Sequence, residues 1–296
     1  RFSAGLAEIS RHYARIICPE GGAEVAKGEA VWLRKLLNVG NIANFLPIMV
    51  AARKKVTSGG ITETDYIEIL KALECYAYRV FLFSGRRSNA GKSRLYRLGY
   101  DLFSNSLSAE KVVNDLHQLL LHYSRDEDFV GWMKEPDDWY AYRRLLRYTL
   151  FEYELHLLDK EGQGKPPLLG WEDLSDSTFE HILPQTPAAE SHWLKVWNQE
   201  EIKRCLNDIG NLVLTQNNSN YLNFDFERKK GSPGISPSYA NSDIRQERRV
   251  AIYQDWSPKE FAQRRDDVVG WIMDRWKSKA DSFVAEEYYS DTDDDI

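Results

Sequence analysis

Two short apolar runs carry the residue types best suited to chemistry. The first, Thr178-Phe179-Glu180-His181-Ile182-Leu183-Pro184-Gln185, places a carboxylate beside a histidine. The second, Gly210-Asn211-Leu212-Val213-Leu214, opens with an asparagine thirty residues after that histidine, and Asn220 follows nine residues later. A neutral imidazole takes a proton from water near pH 7. Carboxylate and carboxamide oxygens are hard donors that suit a Mg²⁺-type cation, which relieves the charge growing on a phosphate and its leaving oxygen. The set therefore reads as a metal-assisted phosphodiester hydrolase. His181 is the expected general base, Glu180 and Asn220 the expected metal ligands, and Asn211 the residue that holds the loop beside His181 through backbone hydrogen bonds. Neighbouring residues on a strand face opposite ways, so Glu180 and His181 serve one phosphate only if the strand ends or twists there. Pro184 favours an early end.

The elements that must position these groups are legible in outline. Strand-like runs are expected at 178–182 and 211–215, with a helix between them at about 190–206 that carries Trp193 and Trp197 four residues apart. Ser257-Pro258-Lys259-Glu260 has an N-cap serine, proline at the first helical position and glutamate at N3. It opens a last helix through Phe261, Val268, Val269, Ile272 and Trp276. Upstream, Leu33, Leu36 and Leu37, then Ile67, Leu70, Leu73 and Ala77, recur at helical spacing. Thr62 with Asp65 reads as a capping box, Ser108 as a weaker helix start, and 139–158 as a further helix. The stretch Glu161-Gly162-Gln163-Gly164-Lys165-Pro166-Pro167 breaks the helical pattern. The expectation is a helical domain at 1–160, a small α+β domain at 161–276 and an acidic disordered tail at 277–296, a mainly α chain.

Composition narrows the class. The 296 residues carry a formal net charge of −6. Residues 277–296 hold two Lys against seven Asp or Glu, while residues 1–160 have a small basic excess. No segment has the basic excess of a protein that binds nucleic acid by charge alone. No apolar run reaches the length of a membrane span, about 18 residues. Cys18, Cys75 and Cys205 are odd in number and far apart, which fits buried thiols of a reducing cytoplasm better than disulfides or zinc. The chain begins at Arg1 rather than Met, so it is expected to be a piece of a longer protein.

The pattern Phe179 to Gln185, Trp193 and Trp197, Ile209-Gly210-Asn211-Leu212-Val213-Leu214, then Asn220, Asn223, Phe226 and Lys229, closely resembles the C-terminal nuclease domain of GmrSD-type restriction enzymes, within the His-Me finger (HNH, ββα-metal) nucleases. The resemblance spans about residues 170–276. It implies a β-hairpin and helix around one divalent metal, Mg²⁺ or Mn²⁺, with His181 as base, Asn211 as structural asparagine and Asn220 as ligand. It also implies a DNA endonuclease or nickase acting in the cytoplasm against foreign, modified phage DNA. An N-terminal ParB-like nucleotide-hydrolysing domain, absent from this chain, is the implied partner. Two positions depart from the family pattern: Asn220 stands where its letter code has His, and Glu180 where Asp is frequent. The alternative reading is an inactive nuclease fold that binds DNA or a protein.

Basic residues form two further candidate sites. Arg228, Lys229 and Lys230 are expected to grip phosphates beside the cleft, with a solvated charge run as the plain alternative. Arg86 and Arg87, in a cluster with Arg79, Lys92, Arg94 and Arg97, are expected to contact DNA backbone or the missing domain, with an interhelical loop of ordinary solvated charges as the plain alternative. The glycine-rich stretch Gly85 to Ser93 imitates a phosphate-binding loop, but it has five residues between its glycines where that loop has four. The run before it, Tyr78 to Phe83, reads as helix rather than strand.

Overall fold

The computed structural model describes residues 2–19, 27–162, 167–232, 234 and 236–280. Among the described residues the chain is mainly helical with one two-stranded sheet. It divides into two compact units, Arg1–Phe129 with Trp276–Ile296, and Val130–Arg275. Of the expected linker, residues 163–166 lie outside the described residues, as do Pro233, Ile235 and tail residues 281–296. No described helix is long and apolar enough to cross a membrane.

The first unit is built from α1 (Phe2–Ile17), α2 (Lys27–Val39), α3 (Leu46–Thr57), α4 (Glu63–Tyr76), α5 (Lys92–Phe103) and α6 (Ala109–Tyr123), with α7 (Asp126–Met133) beginning in it. The Thr62 side chain accepts from Asp65 N, and the Asp65 carboxylate accepts from Thr62 N at 2.9 Å, the capping box read from sequence. Ser108 caps α6 by accepting from Lys111 N. Leu33, Leu36, Leu70, Leu73 and Ala77 are buried, as their helical spacing requires. After α4 the helix continues as a π segment, Ala77–Phe83. The glycine-rich loop therefore follows a helix, not the strand a phosphate-binding loop needs.

Arg79 corrects the expected basic cluster. It lies on the π segment, fully buried, with Asp126 Oδ1 at 2.9 Å, Ser124 O at 2.6 Å, and Phe129's ring centroid 4.1 Å from its guanidinium. A buried guanidinium needs this full set of acceptors to offset lost hydration, and its burial takes it out of the surface cluster expected from sequence. Arg86 and Arg87 are exposed. Cys75 is buried as expected, but Cys18 is exposed.

The second unit contains α8 (Arg143–Glu161), β1 (Phe179–His181), α9 (Trp193–Val196), α10 (Gln199–Cys205), β2 (Leu212–Leu214), α11 (Asn218–Tyr221), α12 (Phe226–Lys230), α13 (Arg245–Val250) and α14 (Pro258–Arg275). The strands pair antiparallel in the register Phe179↔Leu214, Glu180↔Val213, His181↔Leu212. The single helix expected at 190–206 is two. Trp197 is extended between α9 and α10 and donates its indole N–H to Trp256 O at 2.7 Å, and Asn198 starts α10 with a capping box to Glu201. Trp193, Trp197, Phe226, Trp256 and Phe261 join Ile182, Leu183 and Val213 in one apolar core beneath the sheet.

The turn before β2 is fixed by α14. Arg264, buried in α14, donates to Ile209 O, Gly210 O and Leu212 O at 2.7 Å each. Asp208 accepts from Gly210 N and pairs with Arg265. Gly210 is needed for this contact: a Cβ there would sit 2.7 Å from Phe261 Cε2 and 2.9 Å from Arg265 Cβ.

Candidate active site

β1 ends at His181, so Glu180 and His181 both line one cleft of about 460 Å³. Ser177, Gln185, Gln216, Asn218, Leu222 and Asn223 complete most of its wall. The early strand end is enforced by Asn211. This fully buried carboxamide accepts from Leu183 N at 2.8 Å and donates to Leu183 O at 3.0 Å and Leu206 O at 2.8 Å. It satisfies the backbone that leaves the sheet after Ile182, whose N donates to Asn211 O. Asn211 thus shapes the loop and is not itself one of the residues that line the cleft.

His181 is 7% exposed, and burial pushes its imidazole down to about 4. The ring is therefore neutral near pH 7. Its Nε2 lies 3.1 Å from Asn207 Oδ1. A carboxamide oxygen only accepts, so Nε2 carries the proton and Nδ1 is the ring's basic atom. Tyr140 packs against the imidazole edge-on, ring centroids 4.6 Å apart, and its backbone N donates to Asn207 O. Arg143 stacks on the other partner of that pair, its guanidinium 3.3 Å from the Tyr140 ring centroid. Asn207, Tyr140 and Arg143 were not singled out in the sequence. Asn207 stands in a turn rich in Asn and Asp, residues common in turns for local reasons, and Tyr140 and Arg143 precede the motif by some forty residues.

Glu180 is held on one of its carboxylate oxygens. Its Oε1 accepts from Lys229 Nζ at 2.7 Å and from Tyr239 OH at 2.9 Å. Lys229 Nζ also donates to His181 O at 2.8 Å and Ile182 O at 3.1 Å. Both side chains are nearly sealed from solvent, and burial works against charge on each, raising the carboxyl and lowering the ammonium. Three acceptors around one ammonium favour the ion pair. Lys229 is therefore a buried strut under β1 and not the phosphate-gripping residue expected. Lys230 is half-buried and donates to Tyr253 O. Arg228 alone of this run is exposed, with its guanidinium 3.3 Å from the Phe224 ring centroid.

Asn220 is exposed and does not line the cleft; Asn218 and Asn223 do. Helical geometry gives the reason. On α11, Asn218 turns to the sheet and donates Nδ2 to Phe179 O at 3.1 Å, while Tyr221, three residues on, is buried against Tyr239. A residue between them, two steps from Asn218, points away. Among the described residues, no group of three or more His, Cys, Asp or Glu gathers as a metal cluster.

A family model for the C-terminal domain of GmrSD restriction endonucleases matches residues 123–271, half of the chain. The chain belongs to this family. No curated protein compared with the chain matches it. The GmrSD domain covers most of the second unit, including His181, Asn207, Asn211 and Asn218. It is a nuclease module of the restriction-endonuclease kind. Arg86 and Arg87 lie outside it.

Proposed function

We propose that the second unit is a metal-dependent DNA endonuclease or nickase of the His-Me finger type. The observation that carries this reading is a neutral, oriented histidine at the cleft end of a strand, with Asn218 on a short helix across the same cleft. Two strands and that helix support the ββα-metal reading. The donor set fits a Mg²⁺- or Mn²⁺-type ion. Such ions keep several waters and take only one or two protein oxygens, and the cleft offers hard donors in Asn218, Asn223 and Glu180. Asn218 replaces Asn220 as the proposed holder, assisted by Asn223. Glu180, with Oε1 held by Lys229 and Tyr239, is the lesser contributor. When bound, the ion relieves charge on the phosphate and leaving oxygen.

His181 performs the proton step. Asn207 holds Nε2–H, so Nδ1 receives the proton of the water that attacks phosphorus. The bond to the 3′-oxygen breaks, and the product keeps a 5′-phosphate. Asn211 keeps the base in place without touching substrate, and Arg228, stacked on Phe224, offers the exposed charge for a neighbouring phosphate. Foreign, modified phage DNA in the cytoplasm is the proposed substrate, and an N-terminal nucleotide-hydrolysing domain the proposed partner.

Plasmid nicking across divalent metals tests this. Wild-type protein should nick with Mg²⁺ or Mn²⁺ and stop when EDTA is added, while His181→Ala and Asn218→Ala should lose nicking and keep their fold. DNA binding without nicking at any metal would instead support a binding module.

A further inference from the structure

Helix α5 of the first unit has an unusual outer face. Its buried stripe, Leu95, Leu98, Gly99 and Leu102, is driven onto α3: a Cβ on Gly99 would sit 2.9 Å from Ile48 N and Pro47 C. That close packing fixes the helix's rotation and leaves a second apolar stripe in solvent. Tyr96, Tyr100 and Phe103 are 41%, 62% and 47% exposed. Isolated exposed aromatics are ordinary, but three in line at i, i+4 and i+7 are not. Each also carries a cation near its ring. Lys92 Nζ lies 5.5 Å from the Tyr96 centroid, Arg97 Cζ 5.8 Å from Tyr100, and Lys54 Nζ 5.0 Å from Phe103. Arg97 is also paired with Asp101 at 2.9 Å. Within α5 itself Lys92, Arg94 and Arg97 stand against Asp101 alone, a local basic excess in a chain whose net charge is −6.

We propose that this face of α5 is a stacking platform for single-stranded DNA. Ring faces stack on bases of any sequence while flanking cations hold the backbone. The spacing selects a single strand. Residues four apart on a helix are separated by roughly 6 Å along its axis, wider than the rise of about 3.4 Å between stacked bases of a duplex. Tyr96 and Tyr100 therefore meet bases of a strand that has been drawn apart. Lys54 is shared with Glu8 at 3.5 Å, but the basic excess along α5 itself matches a polyanion, and the helix lies outside the matched nuclease domain. The proposal stands whether or not the His181 cleft cuts DNA.

Fluorescence anisotropy of a labelled 20-nucleotide oligothymidylate, measured on the full chain in EDTA, tests it. The wild type should bind the single strand more tightly than a duplex of equal length. Tyr96→Ala and Tyr100→Ala should each weaken binding by at least about fivefold, as lost base stacking implies. Tyr100→Leu, which keeps an apolar side chain on the helix, should weaken it equally, and Tyr100→Phe should restore it. Lys92→Ala should lower the salt dependence, whereas the tyrosine variants should not. Binding within twofold of wild type for Tyr100→Leu and for the Tyr96→Ala/Tyr100→Ala pair would overturn the proposal. So would poly-glutamate displacing the oligonucleotide as readily as unlabelled oligothymidylate does, since that marks a surface for acidic protein segments.

Discussion

As the proposed base, His181 would act through its position rather than through a raised pKa. Burial keeps the ring neutral, and Asn207 fixes which nitrogen holds the proton. A base must be unprotonated to act, so nicking should be lost only as pH falls through the ring's value of about 4. The rate–pH profile should be level from there towards neutrality. Asn207→Asp places a carboxylate beside Nε2–H, which favours the imidazolium. The acid limb should move to higher pH with the plateau kept. Asn207→Ala should lower the plateau by about 10- to 100-fold, the range for groups that orient a functional side chain. An unmoved limb in Asn207→Asp would remove Asn207 from the account. Lys229 makes a different prediction. Lys229→Met strands a buried carboxylate and two carbonyls, so it should cost about 3–5 kcal/mol of stability in urea unfolding. Adding Glu180→Gln should recover part of the loss. A change near zero would return Lys229 to the surface role its sequence suggested.

At the scale of elements, the turn before β2 matters most, because it sets where Asn211 stands. Gly210→Ala should destabilise by about 1–3 kcal/mol, the cost of overpacking against groups that cannot yield. Phe261 is in the core, and Arg264 is tied to three carbonyls of that turn. Urea unfolding checks this, and a neutral effect would show the contact to be soft. The legible elements were those with local signals. Thr62 with Asp65 and Ser257 with Glu260 both cap helices as read, since a cap is written within four residues. The two strands appear within a residue of their expected bounds. The break after α9 was not legible. Trp193 and Trp197 keep helical spacing, but the second indole is fixed by Trp256, fifty-nine residues away. The place of Asn218 in the cleft wall was hidden similarly. Counting nine residues from Asn211 selected Asn220, and only the facing of α11 against β1 distinguishes the two.

Across the whole molecule, the family was legible because its motif is carried by residue types at fixed positions, and the match over 123–271 contains that motif entire. The mainly helical class and the small sheet followed from spacing. The partners of the candidate site were not legible, because Asn207, Tyr140 and Lys229 reach His181 and Glu180 through tertiary packing. Nor did the charge tally reveal α5, where cations are paired with rings on one helix and vanish into a net charge of −6. The nuclease reading is tested most directly by supercoiled plasmid incubated with the chain and Mg²⁺ or Mn²⁺, beside His181→Ala. The account predicts metal-dependent conversion to nicked or linear DNA, abolished by EDTA and by the substitution. Equal cutting by His181→Ala, or cutting that survives EDTA, would contradict it.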